Sequence, residues 1–431
     1  MRPMPRRLSE IQIRSSPGQR RLSARPAHLA ADALAIDFSH GDVDAFPPHA
    51  AAEEAFVAAL DEGGRAAYTQ YRGNAGVRQR LAGRLAALTG APVDPQHELI
   101  ITPGTQAALY LSLASLVEQD DRVGIIEPDY FANRRILCFL SAQTVPIRLD
   151  LFGRPSRPVL DVKKLRATLR AADAHVLCLS NPNNPTGAML PPTTLAGLAE
   201  MCIEDDVFVV MDQLYCRQVF TGAPFTHLRA LPDMRTRCAT LIGPSKTESL
   251  SGYRIGTAVG PGWLIDRMEA VLSITSLRAP GYSQRVLDSW LAEEPGWLAD
   301  RVDAHRAIRD RIMQVLGKLE GCRVRTPEAG SYLFVRLPEL KIPAEDFIRE
   351  LADNEAVVVT PGSEFGAGFD DFIRINFSQD ADAAVAAIER LVRLASLRRT
   401  TRKRAHAKPP DRPRRGWLSL NRTPVQRAKR E

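Results

Sequence analysis

The sequence predicts an α/β protein: a three-layer α/β/α large domain on a mostly parallel sheet, followed by a smaller α+β domain. Three observations carry this. Short apolar runs, several of them β-branched, alternate with helical stretches between about residues 50 and 285. Strands buried on both faces read as continuous apolar runs, so the sheet is covered by helices. Beyond about residue 285 the order becomes helix, strand, helix, strand, helix, which suits a second, smaller unit.

Residues 1–34 open with MRPMPRRLSEIQIRSSPGQRRLSARP, rich in Arg, Ser and Pro and without apolar periodicity. The composition is that of a transit peptide, but its prolines spoil an amphipathic helix. A basic disordered leader, or a start codon placed too early, is expected. Residues 51–285 hold the runs HELIITPG, DRVGIIEPD, QTVPIRLD, AHVLCLSNP, DVFVVMDQ, ATLIGPSK and YRIGTAVG, each ended by Gly, Pro or Asp. Helical stretches such as TQAALYLSLASLV and TTLAGLAEMCIEDD separate many of them. Residues 286–397 run from the charged helix DRVDAHRAIRDRIMQVLGKLEG through GSYLFVRLP, EDFIRELADNEAVVVTPGSEFG and DDFIRINFS to a last helix ending at Leu397. Residues 398–431 form a basic, proline-interrupted tail that is expected to be disordered.

A chain of 431 residues with 45% hydrophobic and 25% charged residues has an ordinary globular composition. No apolar run reaches the roughly 18–20 residues needed to span a bilayer, and no secretory signal is evident. Six scattered cysteines without a CxxC pair predict free thiols in a reducing cytoplasm, with no disulfide framework and no metal site. The formal charge of +7 is unevenly spread. The tail from 398 carries 13 Lys/Arg against Asp411 and Glu431, and the first 26 residues carry seven Arg against Glu10, so the body between them is acidic. Trp417 is the tail's one aromatic residue, so stacking on nucleic-acid bases is not indicated.

Ligands of open α/β sheets bind beyond the carboxyl ends of the strands. Lys246 follows an apolar strand within TLIGPSKTESLSGYRIG, where a partly desolvated amine loses its proton readily and can attack a carbonyl. Arg254 follows before the next strand and can fork onto a phosphate or carboxylate. Asp212 ends the most apolar run, where a carboxylate needs a partner or caps a helix. SNPNNPTGAM is a rigid turn offering Asn181, Asn183 and Asn184, and ITPGTQAAL presents free N–H groups at a helix start. Each feature alone also fits an ordinary structural role, and a lone lysine such as Lys246 is more often a surface residue.

In their order and spacing, NPNNPTG, the Asp212-x-x-Tyr215 pair and Ser245-Lys246 with Arg254 resemble the class I/II aminotransferases, which are fold-type I pyridoxal-phosphate (PLP) enzymes. The resemblance runs from about Ala35 to Leu397. It implies that Lys246 holds PLP as a Schiff base and then moves the proton at Cα. It also implies that Asp212 pairs with the pyridinium nitrogen, and that Tyr215 and Asn184 hydrogen-bond the ring oxygen. Tyr130 would lie on the ring face. Gly104, Thr105, Gln106, Ser245 and Arg254 would hold the phosphate, with Tyr68 reaching the phosphate of a neighbouring subunit in a homodimer. Arg374 in DDFIRINFS would bind the substrate α-carboxylate, with Asn184 and Gly41 beside it. Residues 35–50 would join the small domain and close over the site.

Three departures from the family pattern stand out: Gln213 replaces a glutamate, Gly41-Asp42-Val43-Asp44 lacks a proline, and Thr247-Glu248-Ser249 follows the lysine. The implied activity is ping-pong transfer of an amino group from an L-amino acid to a 2-oxo acid. Another PLP reaction (lyase, decarboxylase or synthase) is the alternative. A PLP-sensing DNA-binding regulator is a third reading, against which the leader shows no helix-turn-helix pattern. Side-chain selection is expected near His40, Asp44 and LRAPGYS, with Arg278 as a candidate to meet an acidic group.

Overall fold

The computed structural model describes residues 35–41, 44–61, 68–153 and 159–400. The leader, nearly all of the tail, and Asp42 and Val43 lie outside the described residues. Described residues up to Arg399 belong to one compact unit, and a second unit is counted from Thr400.

All seven apolar runs become strands of one sheet. They are β2 (Leu99–Thr102), β3 (Arg122–Glu127), β4 (Gln143–Arg148), β5 (Val176–Ser180), β6 (Phe208–Asp212), β7 (Cys238–Ile242) and β8 (Gly256–Val259), numbered after β1 (Ile36–Asp37). Their order is β2-β8-β7-β6-β5-β3-β4. The strands run parallel except β8, which is antiparallel to both of its neighbours.

Strand alternation explains the three layers. In β5, Leu177 and Leu179 join one core cluster and Cys178 the opposite one; in β6, Val209 and Met211 face one way and Val210 the other. The first cluster is closed by helices α5 (Val162–Ala172) and α6 (Pro192–Glu204), through Leu165, Leu169, Leu195 and Leu198. The second is closed by α3 (Thr105–Leu116), α4 (Phe131–Phe139) and α7 (Gly262–Ile274). Two further helices precede these, α1 (Ala50–Asp61) and α2 (Ala75–Thr89). Helix α2 is bounded by its sequence: the Asn74 side chain accepts from Val77 N, and Gly90 ends it at φ 73°.

The smaller α+β domain has an antiparallel sheet in the order β12-β13-β10-β9. Its central strands are β10 (Tyr332–Arg336) and β13 (Phe372–Asn376), flanked by β9 (Arg323–Val324) and β12 (Thr360–Pro361). Following the short helix α8 (Gly281–Arg285), helices α9 (Trp297–Leu316), α10 (Ala344–Glu355) and α11 (Ala381–Arg398) complete the smaller domain. They form a core with Leu333, Val335, Ile373 and Ile375. The chain's first strand, β1, pairs in parallel with β11 (Val357–Val358), which fastens the N-terminal segment to this part of the fold. Helix α11 runs one residue past the predicted Leu397. Arg398 pairs with Glu350 and Arg399 with Glu320, so these two tail residues are held in place.

His305 on α9 locks the segment after the N-terminal strand. Its Nδ1 donates to Arg301 O at 2.7 Å, its Nε2 meets Ser378 Oγ at 2.9 Å, and Phe46 stacks on its ring at 3.9 Å. Arg301 in turn donates to the carbonyls of Phe46 and Pro47 and to Ser249 Oγ. Burial pushes His305 down to about 4. On acidification the unfolded chain therefore protonates first. The histidine's support for the fold is complete above about pH 6.5 and is lost as pH falls towards 4. Ring-nitrogen NMR should show His305 as the neutral Nδ1–H tautomer at pH 5.5, and a midpoint above 6 would contradict this packing.

Candidate active site

The sheet's carboxyl edge carries the site, because the strands end there in polar residues. Strand β2 ends at Thr102, and Gly104 then turns at φ 84° to start α3. A Cβ on Gly104 would sit 2.6 Å from Arg254 Nη2, and one on Gly256 would collide with the backbone N of Thr105. Glycine at these two positions lets α3, Arg254 and the start of β8 close together. Thr105 Oγ1 is buried there without a hydrogen-bond partner. Helix N–H groups, an unpartnered hydroxyl and a guanidinium make a cradle for an anionic group. Ser245, buried, lies on the loop after β7. Gln106 turns its side chain outward, and its Oε1 accepts from Tyr130 OH at 2.8 Å.

Asp212, at the end of β6, accepts from Leu214 N at 3.0 Å. Loss of bulk water pushes it up to about 6, while that hydrogen bond and the nearby Lys246 ammonium pull the other way. Lys246 thus lies near enough to Asp212 for its charge to act on the carboxyl. Tyr215 is buried, with its hydroxyl 2.8 Å from that of Tyr332.

The Asn-rich turn divides its labour. Asn181 Oδ1 accepts from Leu190 N at 2.9 Å, and Asn183 donates to Pro128 O at 3.1 Å, so these two build the turn. Asn184 faces the site, where its Oδ1 accepts from Arg374 Nη1 at 3.1 Å. Arg374 lies on β13, buried to 5% exposure. Its Nη2 donates to Ser39 O at 2.9 Å, and its guanidinium stacks between Tyr332 and Phe365 at 4.2 and 5.0 Å. Its hydrogen-bond partners among the described residues are an amide, a carbonyl and the Thr360 hydroxyl, none of them a carboxylate, and its Nε has no partner. Gly41 packs against Ser378, which a Cβ on it would meet at 3.3 Å. Gln379 holds the segment by donating to His40 O at 2.6 Å.

Tyr68 stands apart. It is 80% exposed, and the Arg278 guanidinium lies 4.4 Å from its ring and 4.2 Å from that of Tyr71. Sequence reasoning missed Tyr332, which reads only as one residue of the strand GSYLFVRLP. Asp129, a polar residue at a strand end to which the sequence assigned no role, is buried and accepts from Tyr130 N at 2.6 Å, from Ser180 N at 2.8 Å and from Ser180 Oγ. Ser180 Oγ in turn accepts from Asn184 N at 3.0 Å, so this carboxyl braces the turn. Burial raises Asp129 to about 7.

Comparison with known proteins decides the family. The family model for class I and II aminotransferases matches residues 35–391. The chain belongs to this family. It is 28% identical to an arginine–pyruvate transaminase of Pseudomonas aeruginosa over 364 residues, covering 83% of this chain and 89% of that one. It is 27% identical to an aspartate aminotransferase of Musicola paradisiaca, covering 78% and 83%. Among solved structures it is similar to an aspartate aminotransferase of Rhodobacter sphaeroides, with a TM-score of 0.85 and 45% identity over 91% of this chain and 99% of that chain. The protein is therefore an aminotransferase, moving an amino group between an amino acid and a 2-oxo acid.

Two of the three departures in this aminotransferase, Gln213 and the segment after the lysine, have structural explanations, while the third includes Asp42 and Val43, which lie outside the described residues. Gln213, fully buried, takes His227 Nδ1 as a partner at 2.7 Å. Burial, together with the nearby Arg229 charge, pushes His227 down to about 4, so a neutral amide faces a neutral imidazole and no buried charge arises. Glu248, two residues past Lys246, is buried and shares the Arg217 guanidinium with Glu293. Burial pushes Glu248 up; Glu293 is also opposed by burial, but its hydrogen bonds and charge contact with Arg217 hold it below the usual range. This cluster fixes the lysine loop to the body. Arg217→Ala strands two buried carboxyls and should cost about 3–5 kcal/mol in urea unfolding. A loss below about 1 kcal/mol would contradict the cluster's role.

Proposed function

We propose that this aminotransferase works with PLP bound through Lys246, takes the substrate α-carboxylate on Arg374, and acts as a two-fold homodimer. The observation that carries the reading is Arg374: a buried guanidinium without a carboxylate partner among the described residues needs one from a ligand. The cofactor's chemistry fits the other groups. Thr105 Oγ1 lacks a partner at a helix start, which suits a phosphate, and Asp212 sits where a ring N–H would relieve its burial. Bound there, PLP supplies a carbonyl that takes up amines and a protonated ring that withdraws electrons.

The remaining work falls to this chain's own side chains. Lys246 carries the proton to and from the substrate Cα. Asp212 keeps the ring nitrogen protonated, and Tyr215 and Asn184 offer hydrogen bonds to the ring oxygen. Gly104, Thr105, Gln106, Ser245 and Arg254 hold the phosphate, and Tyr130 lies against the ring. Gly41 closes on the carboxylate beside Arg374. Exposure of Tyr68 with its stacked Arg278 supports a site completed by a second copy of the chain. Free thiols at all six cysteines suit a reducing cytoplasm. No described helix is long and apolar enough to cross a membrane.

For substrate class we favour acidic amino acids. The 45% identical structure is an aspartate aminotransferase. Arg278 makes no ion pair with a described carboxylate and is held by two tyrosine rings at an exposed edge.

Two measurements test this reading. Borohydride treatment of the chain with PLP should add the mass of a reduced phosphopyridoxyl group to the peptide holding Lys246, and Lys246→Ala should abolish it. Labelling of a different lysine would overturn the assignment. Arg278→Ala should lower kcat/KM for aspartate or glutamate at least tenfold relative to phenylalanine, about 1.4 kcal/mol of selectivity. Equal losses on all three would remove Arg278 from substrate choice.

A further inference from the structure

Tyr332, the first residue of β10, is 3% exposed and belongs to neither the lysine loop nor the Asn-rich turn. It touches both functional halves of the site. Its hydroxyl lies 2.8 Å from that of Tyr215, which donates to it, with the rings edge to face at 5.4 Å. Its ring carries the Arg374 guanidinium at 4.2 Å. The charged and titratable groups facing its phenol are Arg374 from β13, Lys246 from the loop after β7, Asp212 from β6, Tyr215 beyond β6, and Tyr130 ahead of α4.

We propose that Tyr332 is a positioning residue that couples carboxylate binding at Arg374 to the direction of the Tyr215 hydrogen bond. This rests on the cofactor reading given above. A phenol has one O–H, and only one proton fits between two hydroxyls. Tyr215 here directs its proton to Tyr332. To donate to a ring oxygen of a ligand, Tyr215 must turn that proton outward, and Tyr332 must then supply the proton between them. A phenolate-like ligand oxygen is the stronger acceptor and favours this reversal, and the incoming bond from Tyr332 strengthens the outgoing one from Tyr215. Arg374 sets how well Tyr332 donates. Burial raises the Tyr332 phenol, but the Arg374 and Lys246 charges, together with the hydrogen bond from Tyr215, offset it and leave it below its ordinary range. A substrate carboxylate on Arg374 cancels part of that charge, weakens the Tyr332 donor and so weakens Tyr215.

Asn184 offers a competing route, because it also bonds Arg374. The test must separate the two. The holoenzyme's visible cofactor band is titrated with pH, with and without propanoate or succinate, carboxylates that carry no amino group. A stronger hydrogen bond to the ring oxygen favours its anionic form and lowers the band's midpoint. The carboxylates should therefore raise the wild-type midpoint. Tyr332→Phe should raise the ligand-free midpoint by about 0.5–1 pH unit, a three- to tenfold change in ionisation constant. It should also cut the carboxylate-induced rise to less than half. Combined with Tyr215→Phe, its effect should fall short of the sum of the two. A midpoint that stays put or falls, a full carboxylate response, or additive shifts would each overturn the coupling and leave the route to Asn184.

If Tyr332→Phe does not fold, a ring-fluorinated tyrosine at 332 keeps the shape and donates better. It should lower the midpoint, and an unchanged midpoint overturns the proposal. A wild-type chain that gives no band at all with PLP would overturn the cofactor reading, and the coupling with it. A normal band attached at Lys246 but indifferent to position 332 overturns the coupling alone.

Discussion

A guanidinium buried without a carboxylate is the constraint around which this fold is arranged. Arg374 cannot sit in the interior on packing alone, because an uncompensated buried charge is costly. The protein offsets that cost only in part, with the carbonyl of Ser39, the amide of Asn184, the hydroxyl of Thr360 and two aromatic faces. Those contacts come from the N-terminal segment, the Asn-rich turn and the small-domain sheet. Three distant stretches of sequence are thus held in one place by a charge that they do not neutralise. In the function proposed above, a ligand carboxylate completes what the protein leaves open.

The same economy of charge runs along the sheet edge. Strands β3, β5 and β6 lie side by side, and Asp129 just past the first, Ser180 on the second and Asp212 on the third line up at their carboxyl ends. Both carboxyls are lifted by burial, yet only Asp212 lies beside the Lys246 ammonium; Asp129 spends its oxygens on Ser180 and Tyr130. One carboxyl is thereby committed to structure, and the other is left with a single backbone hydrogen bond beside a lysine. The difference lies in hydrogen-bond partners rather than in depth.

Much of this was legible in the residues. The seven apolar runs became the seven strands because β-branched residues bounded by Gly, Pro and Asp have few alternatives when both faces are covered. Lys246, Asp212 and Asn184 stood out because polar groups at or just past strand ends are conspicuous against apolar runs, whereas Arg374, in the middle of β13, was marked only by the family resemblance. Tyr332 did not, because a tyrosine in a strand reads as packing until the hydroxyl it meets is known. The antiparallel direction of β8 was equally hidden, since one buried strand pattern serves both directions. The Arg217–Glu248–Glu293 cluster joins residues 76 positions apart at its extremes and leaves no local pattern.

The reversed strand β8 has a consequence for how the lysine is presented. Because β8 starts at the edge where β7 stops, the chain needs no crossover helix, and the connection bearing Lys246 never leaves that edge. Both of its ends are pinned by neighbouring strands, and its middle is pinned by Glu248. A loop fixed at both ends and tied once between them has fewer shapes to explore than a free one. If Lys246 acts as proposed, its amine's freedom is therefore surrendered once, when the chain folds, and not again each time a substrate arrives.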